Sequence, residues 1–177
     1  MARRRMAAGT AVIDTSCLLN LLSLNLLAKA VLRYGVIYLP QHVLAEVNSR
    51  WHDPDGLRRL LKHHTFLRKC SIGDENRVKL LYDRRMNPRA PIHRGEAEAI
   101  VQASERRASE VLIDERAGTK IAQQHSLNVN STLGLLLDFK RMGIIPKIEP
   151  QIKHLRRTNF WLSDSVVKRT LEEAGEG

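Results

Sequence analysis

Aromatic residues and cysteines are both scarce in this sequence. Phe, Trp and Tyr together make up 5% of the 177 residues, so the core must consist mainly of Leu, Ile, Val and Ala. The two cysteines, Cys17 and Cys70, form no CxxC pair and have no metal-ligand spacing. The seven histidines form no HExxH pattern. These absences argue against a zinc site and predict two reduced thiols.

No hydrophobic run is long enough to cross a membrane. The most apolar stretch, residues 17–32, is interrupted by Asn20, Ser23, Asn25 and Lys29. The start, MARRRMAAG, is basic but lacks the apolar segment of a signal peptide, and we expect residues 1–9 to be disordered. The sequence therefore predicts a cytoplasmic protein without a membrane partner.

Acidic residues are outnumbered by basic ones. There are 19 Asp and Glu against 29 Lys and Arg, which gives a formal net charge of +10 at pH 7. A field of this sign favours phosphate-rich partners such as RNA and speeds their encounter. A solvated basic surface, or one that complements an acidic protein, would give the same charge.

Short apolar runs alternate with helical patterns along the chain. The runs resemble parallel strands buried on both faces, and they cover residues 10–13, 36–39, 111–113 and 127–129. The helical patterns cover residues 16–34, 41–49, 53–64, 95–107, 116–125, 131–142 and 163–173. This alternation predicts one α/β domain over residues 1–177: a three-layer α/β/α fold with a central, mainly parallel sheet. Residues 148–177 are expected to form a C-terminal helical tail.

Acidic residues follow two of the predicted strands. Asp14 ends the run TAVID, and Asp114 ends the run VLID and is followed by Glu115. The carboxyl ends of parallel strands meet at one edge of an open sheet, where active sites form, so we expect these carboxylates to lie together. Each aspartate could instead be a helix N-cap, a position that Asp fills readily after a strand.

Two glutamates on predicted helices can join them. Glu46 borders the buried stripe of HVLAEV, and Glu96 lies in the first turn of GEAEAIVQA, where the helix dipole favours an anion. Glu98 lies roughly 200° around the helix from Glu96 and must face elsewhere. Both site glutamates could also be ordinary surface charges. Carboxylates without His or Cys companions suit Mg²⁺ or Mn²⁺, cations that can activate water for attack on a phosphodiester.

In five segments the sequence resembles the PIN-domain family, the fold of VapC-type toxin nucleases. These segments are AVIDTSCLLNL, YLPQHVLAEV, HRGEAEAI, VLIDERAGTKIAQQHSLNVNSTLGLLLDFKRMGII and NFWLSDSVVKRTLEEAGE. They occur in the family's order and span most of the chain. The GEAEAI motif and the tail from FW to AGE resemble a prokaryotic PIN-like branch. The resemblance implies an endoribonuclease that holds one or two divalent cations, Mg²⁺ or Mn²⁺.

The same resemblance assigns catalytic and metal-binding roles to individual acids. It implies that Asp14 is the first ligand, Glu46 the second and Glu96 the third. The fourth acid falls at the end of VLID, where relatives often have Asp-Asp and this chain has Asp114 and Glu115. Either of these two residues could therefore face the metal.

Supporting residues are implied at two further positions. Ser16 lies where relatives keep a small hydroxyl or amide that supports the first aspartate. At residues 130–132 this chain has Asn-Ser-Thr, where relatives commonly show a Gly-Thr pair. Thr132 keeps the hydroxyl at the mouth of the site, and either Ser131 or Thr132 can cap the following helix.

A basic stretch separates the second acid from the third. Residues 50–94 contain 12 Lys or Arg and 5 Asp or Glu. We interpret four of these residues as part of an RNA-binding rim, with a solvated helix face as the alternative: Arg84, Arg85, Arg89 and Arg94. Trp51, Phe160 and Trp161 could stack on bases, although the FWLS segment could instead anchor the tail on the core.

Three functions compete at this stage. The resemblance implies a metal-dependent ribonuclease, the toxin of a toxin–antitoxin pair, with an antitoxin as partner and a homodimer as the assembly. A catalytically inactive PIN-like module that binds RNA or protein is the alternative, and Glu115 in place of Asp leaves it open. A phosphotransfer enzyme with Asp14 as nucleophile is disfavoured, because the sequence has neither a DxD pattern after the first strand nor a Gly-rich phosphate loop.

Overall fold

Five parallel strands form the central sheet of the computed structural model, which describes residues 9–158 and 160–177. The strands are β1 (Gly9–Ile13), β2 (Tyr34–Pro40), β3 (Leu67–Cys70), β4 (Glu110–Leu112) and β5 (Val129–Asn130). Their order is β3-β2-β1-β4-β5, and all four pairings are parallel. The order reverses between β1 and β4, because the chain adds β2 and β3 on one side of β1 and β4 and β5 on the other.

Helices cover both faces of this sheet. They are α1 (Thr15–Ser23), α2 (Gln41–Arg50), α3 (Pro54–His63), α4 (Glu75–Tyr82), α5 (Arg94–Glu105), α6 (Arg116–Gln124), α7 (Thr132–Arg141), α8 (Glu149–Arg157) and α9 (Asp164–Glu173), with a 3₁₀ helix at Leu27–Leu32. The predicted three-layer α/β/α fold with a parallel sheet is confirmed. The last two helices fall in the expected C-terminal tail.

Alternate residues of the strands face the two layers. Ile13 and Leu112 pack into a core with apolar residues of α1, α2, α7 and α8. Val12 and Val111 pack on the opposite face with residues of α4, α5 and α6. Because successive side chains of a strand point to opposite faces, a sheet covered on both sides needs the uninterrupted apolar runs seen in the sequence.

The predicted helix over residues 16–34 is wrong in length. Helix α1 ends at Ser23, and Asn25 adopts a left-handed backbone with φ 55°. The N–H of Leu26 bonds to the carbonyl of Leu21, and that of Asn25 to Leu22, which is the hydrogen-bond pattern of a Schellman C-terminus. The hydrophobic pattern continues past this point because the following 3₁₀ helix packs on the same core.

The basic stretch contains two elements that the apolar pattern did not predict, β3 and α4. Strand β3 lies at the edge of the sheet, and its central residues Arg68 and Lys69 are exposed. An edge strand needs fewer apolar residues, and charged side chains there discourage pairing with other chains. The predicted disordered start lies outside the described residues, except for Gly9, which belongs to β1.

Two smaller observations complete the fold. In the described part of the chain, each helix is too short or too polar to span a bilayer. Cys17 and Cys70 are both buried and both free, as the sequence predicted.

Candidate active site

Asp14 and Asp114 lie at the carboxyl ends of the two strands between which the strand order reverses. Asp14 directly follows β1, and Asp114 comes two residues after the end of β4. The N–H of Asp14 bonds to the carbonyl of Leu112 at 3.0 Å, which ties the two strand ends together. A crevice opens at such a reversal in open α/β sheets and is their usual ligand site.

Asp14 is both a helix cap and a buried charge. Its Oδ1 accepts the backbone N–H of Cys17 at 2.8 Å, so it caps α1, and its side chain is almost fully buried. Burial raises the pKa of Asp14 well above its ordinary value, and the charges of Asp114 and Glu96 raise it further, although the bond from Cys17 lowers it. The two sequence interpretations of Asp14 are therefore compatible, because one carboxylate oxygen caps the helix while the group as a whole belongs to an acidic cluster.

Asp114 is held in place by two polar residues. The backbone N–H and the hydroxyl of Thr132 donate to its carboxylate at 2.8 and 2.6 Å, and Nδ2 of Asn20 donates at 3.0 Å. Ser131 caps α7 through a bond from the N–H of Gly134, which leaves the Thr132 hydroxyl for Asp114. Sequence reasoning missed Asn20, although a polar residue on the apolar face of TSCLLNLLS was a usable signal.

Glu46 reaches the same area from α2. Its Oε2 accepts the hydroxyl of Thr15 at 2.7 Å, and its Oε1 pairs with Nη1 of Arg50 at 2.9 Å. A Cβ atom at Gly95 would lie 2.9 Å from Oγ1 of Thr15 and 3.3 Å from Oε2 of Glu46. The glycine of the GEAEAI motif therefore lets the start of α5 approach Glu46. Thr15 was another residue that sequence reasoning missed.

Glu96 is the most enclosed of the glutamates in the cluster. Its Oε2 accepts the backbone N–H of His93 at 3.0 Å, while Oε1 is buried and completes no hydrogen bond with the described residues. Burial raises the pKa of Glu96 and the charge of Glu115 raises it further, whereas the N–H groups of His93 and Gly118 lower it. A buried carboxylate oxygen without a partner is costly, so a positively charged ligand would be stabilised beside it.

Glu115 differs from the other acids because its side chain is exposed. It occupies the N-cap position of α6, and its charge reaches Glu96 rather than capping the helix. Asp114 thus lies beside Asp14, and Glu115 lies closer to Glu96. Across the described ranges, no three His, Cys, Asp or Glu side chains form a ready-made metal site. The physical reason is visible at Glu46, which has turned to Thr15 and Arg50 instead of adding its charge to the other acids.

A cleft of about 790 Å³ opens beside the acids. Asp114, Glu115 and Asn20 line it at one end, and Ser16 lies on its wall. The hydrogen bond to the Asp14 side chain comes from the N–H of Cys17 rather than from Ser16. A solvent-filled cleft of this size gives a polymer substrate access to the strand ends.

The four arginines of the predicted rim fall into two groups. Arg84, Arg85 and Arg89 are exposed in the loop between α4 and α5. Arg94 instead pairs with the buried Glu98 at 2.9 Å and with an acid and a phenol of α4, Glu75 and Tyr82. Its guanidinium therefore joins α5 to α4, and we assign it a structural role.

Glu98 faces away from Glu96, as predicted. Its Oε2 accepts the N–H of His42 at 3.0 Å, so this buried carboxylate connects α5 to the start of α2. The ion pair with Arg94 compensates its charge. Glu98 thus fixes the approach of α2, the helix that carries Glu46.

The aromatic residues of the tail do not share one role. Phe160 and Leu162 pack against the core, as tail anchoring requires. Trp161 between them is 83% exposed and lines the cleft, so the anchoring interpretation is wrong for this residue. Trp51 is partly buried against the core.

Comparison with known proteins gives one match. A family model described as PIN domain matches residues 10–176, which is nearly the whole chain. No curated protein matches the chain.

Proposed function

Because the chain belongs to the PIN-domain family, we propose that it is a cytoplasmic endoribonuclease that depends on a divalent cation. The single observation that carries this proposal is the gathering of carboxylates where the strand order reverses. Asp14, Asp114 and Glu96 are close enough for the charge of each of the other two to raise the pKa of Asp14. Such an accumulation of negative charge is unfavourable on its own and becomes favourable around a cation.

The donor set fits a hard cation. Asp14, Glu46, Glu96, Asp114 and Glu115 offer only carboxylate oxygens, which Mg²⁺ and Mn²⁺ prefer. The unpaired, buried Oε1 of Glu96 is the specific vacancy in hydrogen bonding that a cation would compensate. When bound, a divalent cation would lower the pKa of a water ligand and stabilise charge on the phosphate.

The reaction is hydrolysis of a phosphodiester. The oxygen of a water bonds to phosphorus while the bond from phosphorus to one ribose oxygen breaks, and that ribose oxygen takes up a proton. Asn20 and Thr132 hold the carboxylate of Asp114 in a fixed orientation through their hydrogen bonds. Arg50 and Arg116 line the cleft beside the acids and can neutralise neighbouring phosphates.

Cleavage of defined RNAs tests the proposal. Purified protein should cut single-stranded RNA in Mg²⁺ or Mn²⁺ and should lose this activity in excess chelator, with recovery when the cation is restored. Size analysis of labelled RNA gives the result directly. Cutting that continues unchanged in chelator would exclude the cation-dependent mechanism.

A second function is favoured by one observation. No ready-made metal site exists among the described side chains, and Glu115 is exposed, which would suit a catalytically inactive module that binds RNA or protein. The two functions differ in their cation requirement. A binding module would hold RNA equally well with and without Mn²⁺ and would leave it intact.

Arg84 and Arg85 are expected to strengthen RNA binding from outside the cleft. Both are exposed in a basic loop, and neither has the carboxylate partners that occupy Arg94. Replacing both with Glu should weaken binding and reduce the salt dependence, whose slope falls by roughly 0.7 for each lost contact to a single strand. Fluorescence anisotropy at several salt concentrations measures both quantities. An unchanged slope would remove these residues from the RNA interface.

We further propose that the protein is the toxin of a toxin–antitoxin pair and acts as a homodimer. This finer role rests on the resemblance of its motifs to VapC-type nucleases. An adjacent small gene that encodes a DNA-binding antitoxin would support it, and light scattering of the purified chain gives the assembly. A monomer, with no such gene nearby, would contradict both.

A further inference from the structure

Trp161 is an exposed aromatic residue in a segment that is otherwise fixed. Its neighbours Phe160 and Leu162 pack on the core, and Arg156 binds the carbonyl of Leu162 and pairs with Asp164. The indole is 83% exposed and lines the same cleft as Asp114. A flat apolar group is therefore held at the wall of the cleft without a partner of its own.

The cleft continues in both directions past the acids. A second hollow of about 860 Å³ shares Glu115 and Arg116 with it and extends along α6 to Lys120 and His125. A third, of about 530 Å³, shares Asn20 and Arg50 and extends to residues 51, 52 and 154. Together they form a groove that passes the acidic cluster, as a path for a polymer strand requires.

The groove has the chemistry of a single-strand binding surface. Arg50, Arg116 and Lys120 line it on either side of the acids, where cationic groups can contact phosphates. Trp161 adds a stacking surface, and every base has a face that can stack on it. Bases paired inside a duplex cannot reach such a surface, whereas unpaired bases can be splayed out onto an aromatic ring.

We propose that Trp161 stacks on an unpaired nucleobase next to the scissile phosphate and so makes single-stranded RNA the substrate. This inference rests on the proposed ribonuclease function and assigns its substrate class. Trp161 is a specificity-determining residue that contacts the RNA without taking part in bond cleavage. Arg50 and Arg116 contact the phosphates that flank this base.

Tryptophan fluorescence tests the proposal, because the chain has two tryptophans and Trp51→Phe leaves Trp161 alone. In an Asp14→Asn background, a short single-stranded RNA should quench the fluorescence of Trp161, and the same sequence as a duplex should not. Trp161→Ala, measured by anisotropy, should weaken single-strand binding by roughly 5- to 150-fold, the usual range for losing one stacked base. Trp161→Tyr should restore most of the affinity.

A series of RNAs with one abasic site each locates the stacked base. One abasic position should weaken binding to the Trp161 protein and have no further effect on Trp161→Ala. The exposed Met142, which lies outside the groove, provides the control, and Met142→Ala should bind normally. Affinity that is unchanged by Trp161→Ala, while wild-type protein still binds and cuts RNA, would overturn the stacking and leave the nuclease proposal standing. Wild-type protein that neither binds nor cuts RNA would overturn both.

Discussion

Asp14→Asn is expected to lower RNA cleavage by at least roughly 10²-fold, the scale on which charge-stabilising groups act in active sites. Asp14 follows the central strand β1, and its charge interacts with both Asp114 and Glu96. Asparagine keeps the shape and can still accept the N–H of Cys17 as a helix cap. The change therefore removes a negative charge from the cluster without removing the bond that starts α1. Initial rates on a defined RNA in Mn²⁺ measure the loss.

The same variant should be more stable than the wild type in chelator. The pKa of Asp14 is raised above its ordinary value of 3.8, so its contribution to stability is present below that pH and is lost as the pH rises through the raised pKa. Asn carries no charge at any of these pH values. Thermal unfolding should thus show a gain for Asp14→Asn at neutral pH that shrinks as the pH falls towards 3.8.

An exposed aspartate supplies the control for both measurements. Asp55 lies on α3 with its side chain largely exposed, and Asp55→Asn removes the same charge far from the strand ends. It should cleave normally and show no gain in stability of this kind. Normal cleavage by Asp14→Asn would mean that the acidic cluster is not the catalytic site.

Gly118→Ala is the second change with a large expected effect, although position 118 bears no functional group. A Cβ atom there would lie 2.3 Å from Oε1 of Glu96 and 3.0 Å from Cγ2 of Ile113. Since both neighbours are buried, the variant must displace Glu96 or separate α6 from the sheet. We expect the free energy of unfolding to fall by about 1–3 kcal/mol. Cleavage should fall by roughly 10- to 100-fold, as when the support of a metal ligand is disturbed.

A double-mutant cycle isolates the contact with Glu96. In a Glu96→Ala background the clash is absent, so Gly118→Ala should cost little stability or even add some, because Ala favours the helix more than Gly does. Gly56→Ala is the matched control, since its Cβ would lie 2.1 Å from Oδ2 of Asp53, which caps α3. That variant should lose stability and keep its specific activity. An equal cost of Gly118→Ala with and without Glu96 would show that the contact does not matter.

The sequence predicted those parts of the site that depend on strand ends. Asp14 and Asp114 follow apolar runs, and parallel strands bring such positions to one edge whatever the details of the packing. The distinction between Glu96 and Glu98 also came from helical geometry alone. These inferences need only the periodicity of the chain and the direction of its strands.

Other parts depend on contacts between residues distant in the chain. Asn20 and Asp114 are 94 residues apart, and Thr15 and Glu46 are 31 apart. Nothing local distinguishes Asn20 from a break in an apolar helix. The pairing of Arg94 with Glu98 is local on α5, yet its partner Glu75 lies on α4, an element whose pattern was hidden in basic residues. Charge content alone therefore assigned Arg94 to RNA, whereas the packing of α4 on α5 occupies it.

The exposure of Trp161 illustrates a different limit. The sequence FWLS offers two aromatic residues, and hydrophobicity alone places both on the core. The extended backbone at this point turns alternate side chains to opposite sides, so Phe160 and Leu162 are packed and Trp161 is not. Only the path of the chain between α8 and α9 reveals which residue faces the cleft.

Calorimetric titration with Mn²⁺ tests most directly whether these carboxylates form one cation site. The wild-type protein should bind Mn²⁺, Asp14→Asn and Glu96→Gln should each bind it at least roughly 10-fold more weakly, and Asp55→Asn should match the wild type. Binding of Mn²⁺ that is equally strong in the wild type and in both cluster variants, or absent from the wild type, would contradict the account.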